Sequence, residues 1–242
     1  LILLFNIFYI ASQLVAGALI FKHLLGMSYF SSLIVITVIV VLYVYVGGAL
    51  ADIYTDALQV IIMAVAGLAI FISGIVLFWK GSIHETFSGI AQNLDHQNHH
   101  LVQVFNPESI HFHSFTMIIG AIIIQWAFAS APHLFNKILG LKSEKDLGRM
   151  IRTYIIVMAL CLLVLFGGIY SSVALGGQVA SSDLALLQYI EWAFPAAIVA
   201  LFGVVILAAA MSTTDGLFVS ISTVFANDLF SVSYTHLTLP TS

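Results

Sequence analysis

The sequence predicts an all-α integral membrane protein with several spans, and three observations carry that prediction. Of its 242 residues, 61% are hydrophobic and only 7% are charged. A soluble domain carries roughly 25% charged residues, so this chain could not cover itself with polar surface. Runs such as Ser28 to Leu50 and Ile151 to Ala180 are nearly free of charge, and each is long enough for a helix of about 20 residues to cross the hydrocarbon core. These runs do not alternate apolar and polar positions, as the strands of a membrane β-barrel would.

Six spans are predicted, at about 1–21, 29–47, 53–79, 114–136, 151–175 and 195–229. The sixth is long. Between the third and fourth lies a polar stretch, Lys80 to His113, which holds most of the histidines. The domain reading is one membrane domain over 1–230, with an outer loop at about 80–113, followed by a tail at 231–242 that does not look native. That tail, "SVSYTHLTLPTS", resembles translated adapter sequence and is assigned no function. The opening run has neither an initiator Met nor a basic flank, so the chain is expected to be a piece of a longer protein.

Orientation follows from the basic residues, which favour the cytoplasmic side. Five of the seven Lys and Arg fall together, as Lys137, Lys142, Lys145, Arg149 and Arg152. The loop between the fourth and fifth spans is therefore expected inside. Alternation then puts the turn "GGALADIYTD" inside and the histidine-bearing loop outside. Lys22 and Lys80 fall outside, against the rule. With a net charge of −4, nothing in the chain is basic enough for nucleic acid. The one cysteine, Cys161, lies mid-span, so there is no disulfide framework.

The chemistry concentrates in the sixth span, in "ILAAAMSTTDG". Ala209, Ser212 and Thr213 stand at i, i+3 and i+4 and so share one helix face. A backbone carbonyl and two hydroxyls converging there form a cluster of neutral oxygens, which suits a small hard cation such as sodium. One face supplies about three oxygens, so a second helix must complete the shell; carriers build such sites near the midplane. The alternative is that small hydroxyl residues simply pack helices together. Asp215 favours the ion reading, because a carboxylate within a span costs about 2.5–3.5 kcal/mol on insertion scales and marks an ion or proton path. It could instead open on a water-filled vestibule near the inner end of the span.

Three motifs resemble the sodium:solute symporter family. "LAAAMSTTDGLFVSISTVFANDLF" (Leu207 to Phe230) is similar to that family's sodium-ion helix, with Ala208, Ala209, Met211, Ser212, Thr213, Asp215, Asp228, Leu229 and Phe230 in step. "YVYVGGALADIYTDALQ" matches a second family pattern through Tyr43, Gly47, Gly48, Ala51, Thr55, Asp56 and Gln59. In "APHLFNKILGLKSEKDLGRM", Pro132 and His133 match a third pattern, with Lys137 in place of Arg. Tyr9, Gln13 and Gly17 fit the span that precedes the Gly-Gly turn. The resemblance covers about residues 1–230.

What the resemblance implies is a core of ten helices in two inverted five-helix repeats, of which the six spans would be core helices 3 to 8. It implies a multi-pass protein of the plasma membrane, with a small solute, sodium and the lipid bilayer as partners. The function is then sodium-coupled symport of an amino acid, pantothenate, a monocarboxylate or a similar solute by alternating access. Sodium is transported rather than held as a cofactor, and no catalytic residue is needed. The sodium site would lie between core helices 1 and 8. Its helix 8 half carries over as the Ala209 carbonyl and the Ser212 and Thr213 hydroxyls, with Asp215 as a possible outer neighbour; its helix 1 half is not in this chain.

The remaining polar marks have plainer readings. Gly47 and Gly48 are expected to end the second span in a tight inner turn. Asp52 and Asp56 flank the start of the third span, where Asp56 could cap the helix or meet its dipole. Pro132 removes a backbone donor and predicts a kink in the fourth span. Gln125, Trp126 and Ser130 precede that kink and are candidate solute-lining residues; an ordinary kinked, packed helix is the alternative. Ile124 and Ala127 stand where the sugar-carrying branch of the family usually has Asn and Tyr, which leans away from sugars.

Three other functions compete. The first is a proton-coupled carrier on the same fold, with Asp215 titrating. The second is a membrane metalloprotein using the histidine loop. His96, His99 and His100 form one histidine box, and Asp95, His111 and His113 could add ligands. A di-iron desaturase needs several such boxes on the cytoplasmic side, so a solvated loop is the default there. The third is a sensor relative fused to a kinase.

Overall fold

The computed structural model describes residues 2–109, 112–129, 138, 141, 143–176, 178, 179 and 181–226, by backbone alone at Ile2, Phe5, 48–52 and 125–129. Eight α-helices lie among the described residues: α1 (Ile2–Leu25), α2 (Tyr29–Leu77), α3 (Ile83–Gln97), α4 (Phe115–Ala129), α5 (Glu144–Leu162), α6 (Phe166–Leu175), α7 (Ala185–Ala193) and α8 (Ala196–Val224). No strand occurs among them. Helix is the expected outcome, because hydrocarbon offers no partner for a backbone N–H or C=O and a helix satisfies both internally.

Five stretches are long and apolar enough to cross a membrane: Asn6–Leu25, Tyr29–Gly47, Ile53–Leu77, Glu144–Leu175 and Ala196–Val224. They coincide with the first, second, third, fifth and sixth predicted spans. The fourth is represented by the shorter apolar segment Phe115–Ile124, since residues 130–136 lie outside the described ones.

One expectation is corrected. Gly47 and Gly48 do not end a helix, because α2 is helical from Tyr29 to Leu77. It is not straight, however. The side chain of Tyr43 reaches that of Thr55, and a straight helix would separate residues twelve apart by about 18 Å. The chain therefore bends between them while remaining helical from Tyr29 to Leu77. A glycine pair makes such a bend feasible, and retaining the helix spares the apolar segment a set of unpaired backbone groups.

The chain divides into two compact units, the first formed by residues 1–60, 132–141 and 203–242, the second by 61–131 and 142–202. In the first unit, Ala18, Ile36 and Val40 are buried together, with Leu14, Phe21, Leu207, Met211 and Phe218 packed around them. α1 and α2 join through a turn at Gly26, whose φ of 65° is in the left-handed region that glycine favours. Ser28 then accepts a hydrogen bond from the Ser31 N–H at 3.1 Å, satisfying an early donor of α2.

The second unit is built on close approach and aromatic packing. A Cβ on Gly67 would lie 2.5 Å from the Leu160 carbonyl oxygen, and one on Gly74 would lie 2.0 Å from the Tyr170 ring. Small residues of this kind let membrane helices pack backbone to backbone. Around Tyr170 stand Phe78, Phe166 and Tyr189, with ring centroids 5.5 to 5.8 Å away. Two polar tips are satisfied inside this cluster: the Tyr189 and Ser73 hydroxyls pair at 2.8 Å, and the Tyr170 hydroxyl donates to the Phe71 carbonyl at 3.3 Å. The segment α3 starts at an N-cap, with the Ser82 side chain accepting from the Glu85 N–H at 3.1 Å.

Candidate ion site

The sixth span folds as α8, and within the first unit it carries Ala209, Ser212, Thr213, Thr214 and Asp215. The three consecutive hydroxyls have different fates. Thr214 is buried and spends its hydroxyl on the Ala210 carbonyl, at 2.6 Å. Thr213 reaches back to the Ala209 carbonyl at 3.4 Å, near the long limit for such a bond. That places the Ala209 and Thr213 oxygens side by side with little holding the hydroxyl in place. Ser212 turns away from its own helix and donates to Oδ1 of Asp56 on α2. Ala209, Ser212 and Thr213 are all half-buried, so the stripe is neither sealed nor laid open.

Two carboxylates belong to this neighbourhood. Asp215 is 2% exposed, so it does not open on a vestibule within the described structure. Asp56 was expected to cap or face the dipole at a helix start. It is instead internal to α2 and engaged across the unit by Ser212. The physical reason is the unbroken helix through the Gly47–Gly48 bend, which leaves no helix start for Asp56 to cap. Tyr43 lies beside both Thr55 and Asp215, but its hydroxyl oxygen makes no well-aligned hydrogen bond; the same holds for the buried Oε1 of Gln59 and Oδ1 of Asn6. Asn6 Nδ2 donates to the Ser220 hydroxyl at 3.3 Å, joining α1 to α8.

The arrangement assembles neutral hydroxyl and carbonyl oxygens next to carboxylates, and the Tyr43 hydroxyl oxygen beside them lacks a well-aligned partner. Buried polar atoms left so are uncommon in folded proteins and need a water, an ion or a function to explain them. An oxygen-only ligand set suits a hard cation. The sequence singled out the α8 residues but missed Asn6 and Ser220. Asn6 carried a readable signal, as an amide within an otherwise apolar run, where polar residues are costly.

Other expected residues fall elsewhere. Gln125 and Trp126 lie on α4, with side chains outside the described residues; Ser130, Pro132, His133 and Asp228 lie outside them altogether. In the histidine loop, His99 Nδ1 meets Asp95 at 2.5 Å, His100 Nδ1 lies 3.0 Å from Gln103 Oε1, and His113 Nδ1 lies 3.0 Å from the Pro107 carbonyl. His111 lies outside the described residues. Among the described residues, no group of three His, Cys, Asp or Glu is placed to hold a metal ion.

Comparisons with known proteins bear on the family of the chain. The model of the sodium:solute symporter family matches residues 1–236. The chain is 28% identical to the high-affinity proline transporter PutP of Bacillus subtilis over 236 residues, which is 95% of this chain and 47% of that protein. It is 27% identical to the sodium/proline symporter of Escherichia coli, covering 95% of this chain and 45% of that protein. It is 24% identical to the sodium/pantothenate symporter of Haemophilus influenzae, covering 90% and 44%. The chain thus spans about half the length of the curated relatives it matches. No solved structure is a significant match. Five stretches long and apolar enough to cross a membrane, and a family match over nearly the whole sequence, lead to one conclusion: the chain belongs to the sodium:solute symporter family.

Proposed function

We propose that the full-length protein containing this chain couples inward sodium movement to uptake of a small organic solute, of the amino acid, pantothenate or monocarboxylate type. The observation that carries this reading is the stripe on α8, where the Ala209 carbonyl and Thr213 hydroxyl stand together and Ser212 leans toward the Asp56 carboxylate. A dehydrated sodium ion takes the neutral oxygens as replacements for water, and the carboxylate beside Ser212 makes the place electronegative without requiring a direct bond. The remaining ligands come from a part of the full protein outside this chain. The driving force is ample: one charge crossing about 100 mV releases about 2.3 kcal/mol, and about 1.4 kcal/mol sustains a tenfold gradient.

The test is sodium-dependent uptake by the full-length protein in cells or vesicles, with proline, pantothenate, acetate, pyruvate and glucose as competing solutes. Ser212→Ala and Thr213→Ala should each raise the sodium concentration for half-maximal uptake by about tenfold, the effect of losing one ion-binding oxygen. Unchanged sodium dependence in both variants sinks the assignment. Asp215 supports a second reading, proton coupling, because it is 2% exposed and lies beside the Tyr43 hydroxyl. Uptake that follows pH and ignores sodium, and is abolished in Asp215→Asn, decides for that reading.

A further inference from the structure

Ser220 stands seven residues beyond Thr213 and eleven beyond Ala209 on α8. At about 100° per residue both spacings return to within about 20° of the same face, and seven residues advance about 10 Å along the axis. The oxygen stripe therefore continues past the proposed ion site. Between the two levels lie Gly216, which contributes no side chain, and Leu217, which is fully buried.

Facing Ser220 is Asn6, 0% exposed, whose amide donates to the Ser220 hydroxyl at 3.3 Å. Its Oδ1 has no hydrogen-bond partner. Whichever way the amide is turned, Ser220 engages one end and the other is left over. An unpaired amide end buried in an apolar setting carries a desolvation penalty that nothing else in the contact offsets. Asn6 is near the start of α1 and Ser220 near the end of α8. The basic loop preceding α5 places both of those helix ends on the cytoplasmic side.

We propose that Asn6 Oδ1 and Ser220 Oγ form a second, transient station for the transported cation, about 10 Å inward of Thr213. This rests on the proposed sodium-coupled function. A cation leaving the Ala209–Ser212–Thr213 level passes on the side of Gly216, which adds no bulk. It then meets two neutral oxygens before reaching the cytoplasm. Both oxygens are uncharged, so the station holds the ion weakly, which suits release rather than storage. Leu217 separates the levels, so the ion occupies one or the other.

A station on the path, but outside the main site, changes rates and leaves equilibrium alone. Removing it raises the barrier for entry and exit equally. The experiment uses the full-length protein, purified, with radioactive sodium as the probe and no solute, and measures both equilibrium binding and rapid-mixing kinetics. Asn6→Ala and Ser220→Ala should each slow sodium association and dissociation by about tenfold, with the dissociation constant unchanged. Asn6→Asp, which restores an oxygen, should bring back the lost speed of association. Unchanged rates in both alanine variants overturn the proposal. So does a loss of equilibrium affinity matching the loss of rate, which would make Asn6 a ligand of the main site or a packing residue. If Asn6→Ala fails to fold, Ser220→Ala carries the same test. Absence of saturable sodium binding in the unaltered protein would instead defeat the proposed function, and so be told apart from failure of the station.

Discussion

Ser212 on α8 donates a hydrogen bond to Asp56 on α2, 156 residues away in sequence. The contact ties the hydroxyl stripe to a carboxylate and makes the two residues one energetic unit. In the full-length protein, Asp56→Asn should keep the contact's geometry and remove its charge. Half-saturation by sodium should then rise by about tenfold or more, since close charges in a partly buried site interact by several kcal/mol. A double-mutant cycle with Ser212→Ala, read by sodium titration of uptake, should give a coupling of at least about 0.5 kcal/mol. Strict additivity would show that the contact has no part in ion handling.

The close approach of α2 to α5 gives a second prediction. A Cβ on Gly67 would meet the Leu160 backbone carbonyl at 2.5 Å, and backbone cannot step aside. Gly67→Ala should lower thermal stability in detergent by about 1–3 kcal/mol, the range for overpacking. Gly168→Ala, which meets nothing within 4 Å, should be neutral or gain up to about 1 kcal/mol from helix propensity. Equal melting temperatures for the two variants would contradict the packing described for the second unit.

Tyr189 and Ser73 share one hydrogen bond inside the aromatic cluster. Loss of either hydroxyl, in Tyr189→Phe or Ser73→Ala, should cost about 1 kcal/mol, with the double variant little worse than either single. Burial pushes the Tyr189 phenol above its ordinary value, partly opposed by the Ser73 hydrogen bond. The folded state thus holds that proton more tightly than the unfolded chain. Its contribution is present below the unfolded value, near 10, and is lost as pH rises through the folded value. Thermal melts between pH 9 and 12 should therefore show a shallower fall in Tyr189→Phe than in the parent.

The histidine loop should not bind zinc stoichiometrically. His99, His100 and His113 each face a separate protein oxygen rather than a common point. Elemental analysis of protein purified without chelator should find far less than one zinc per chain, and replacing His96, His99 and His100 together should leave uptake intact. One tightly bound zinc lost in that triple variant would revive a metal role.

Hydropathy made most of the spans legible, because length and charge-free composition are local properties. The α1, α5–α6 and α8 segments fall close to their expected places. The joining of the second and third spans was not legible. Gly47 and Gly48 read equally well as a helix stop or as a bend, and only the fold, helical from Tyr29 to Leu77, separates the two. At the site, the 3.6-residue period put Ala209, Ser212 and Thr213 on one face, as folded. Periodicity could not reveal what that face meets. Asp56 lies 156 residues from Ser212, and Asn6 lies 214 from Ser220. Such pairings depend on how helices are arranged against one another, which a single sequence does not encode locally. For Asp56 the local pattern pointed to a helix start that the fold does not contain.

The three-residue 3-10 turn at Leu163–Leu165 joins α5 to α6 without interrupting the crossing segment Glu144–Leu175. Each residue there rotates the chain by about 120° rather than about 100°, so three residues advance the azimuth by about 60°. The side that α6 buries, marked by Gly167, Tyr170 and Ser171, is thus offset from the one an unbroken wheel drawn from Ile151 would select. A cysteine-accessibility ladder from Ile151 to Leu175 should show its protected rungs slip in phase at Leu163, and alignments that carry a single wheel through this segment will pair lipid-facing positions with interior ones.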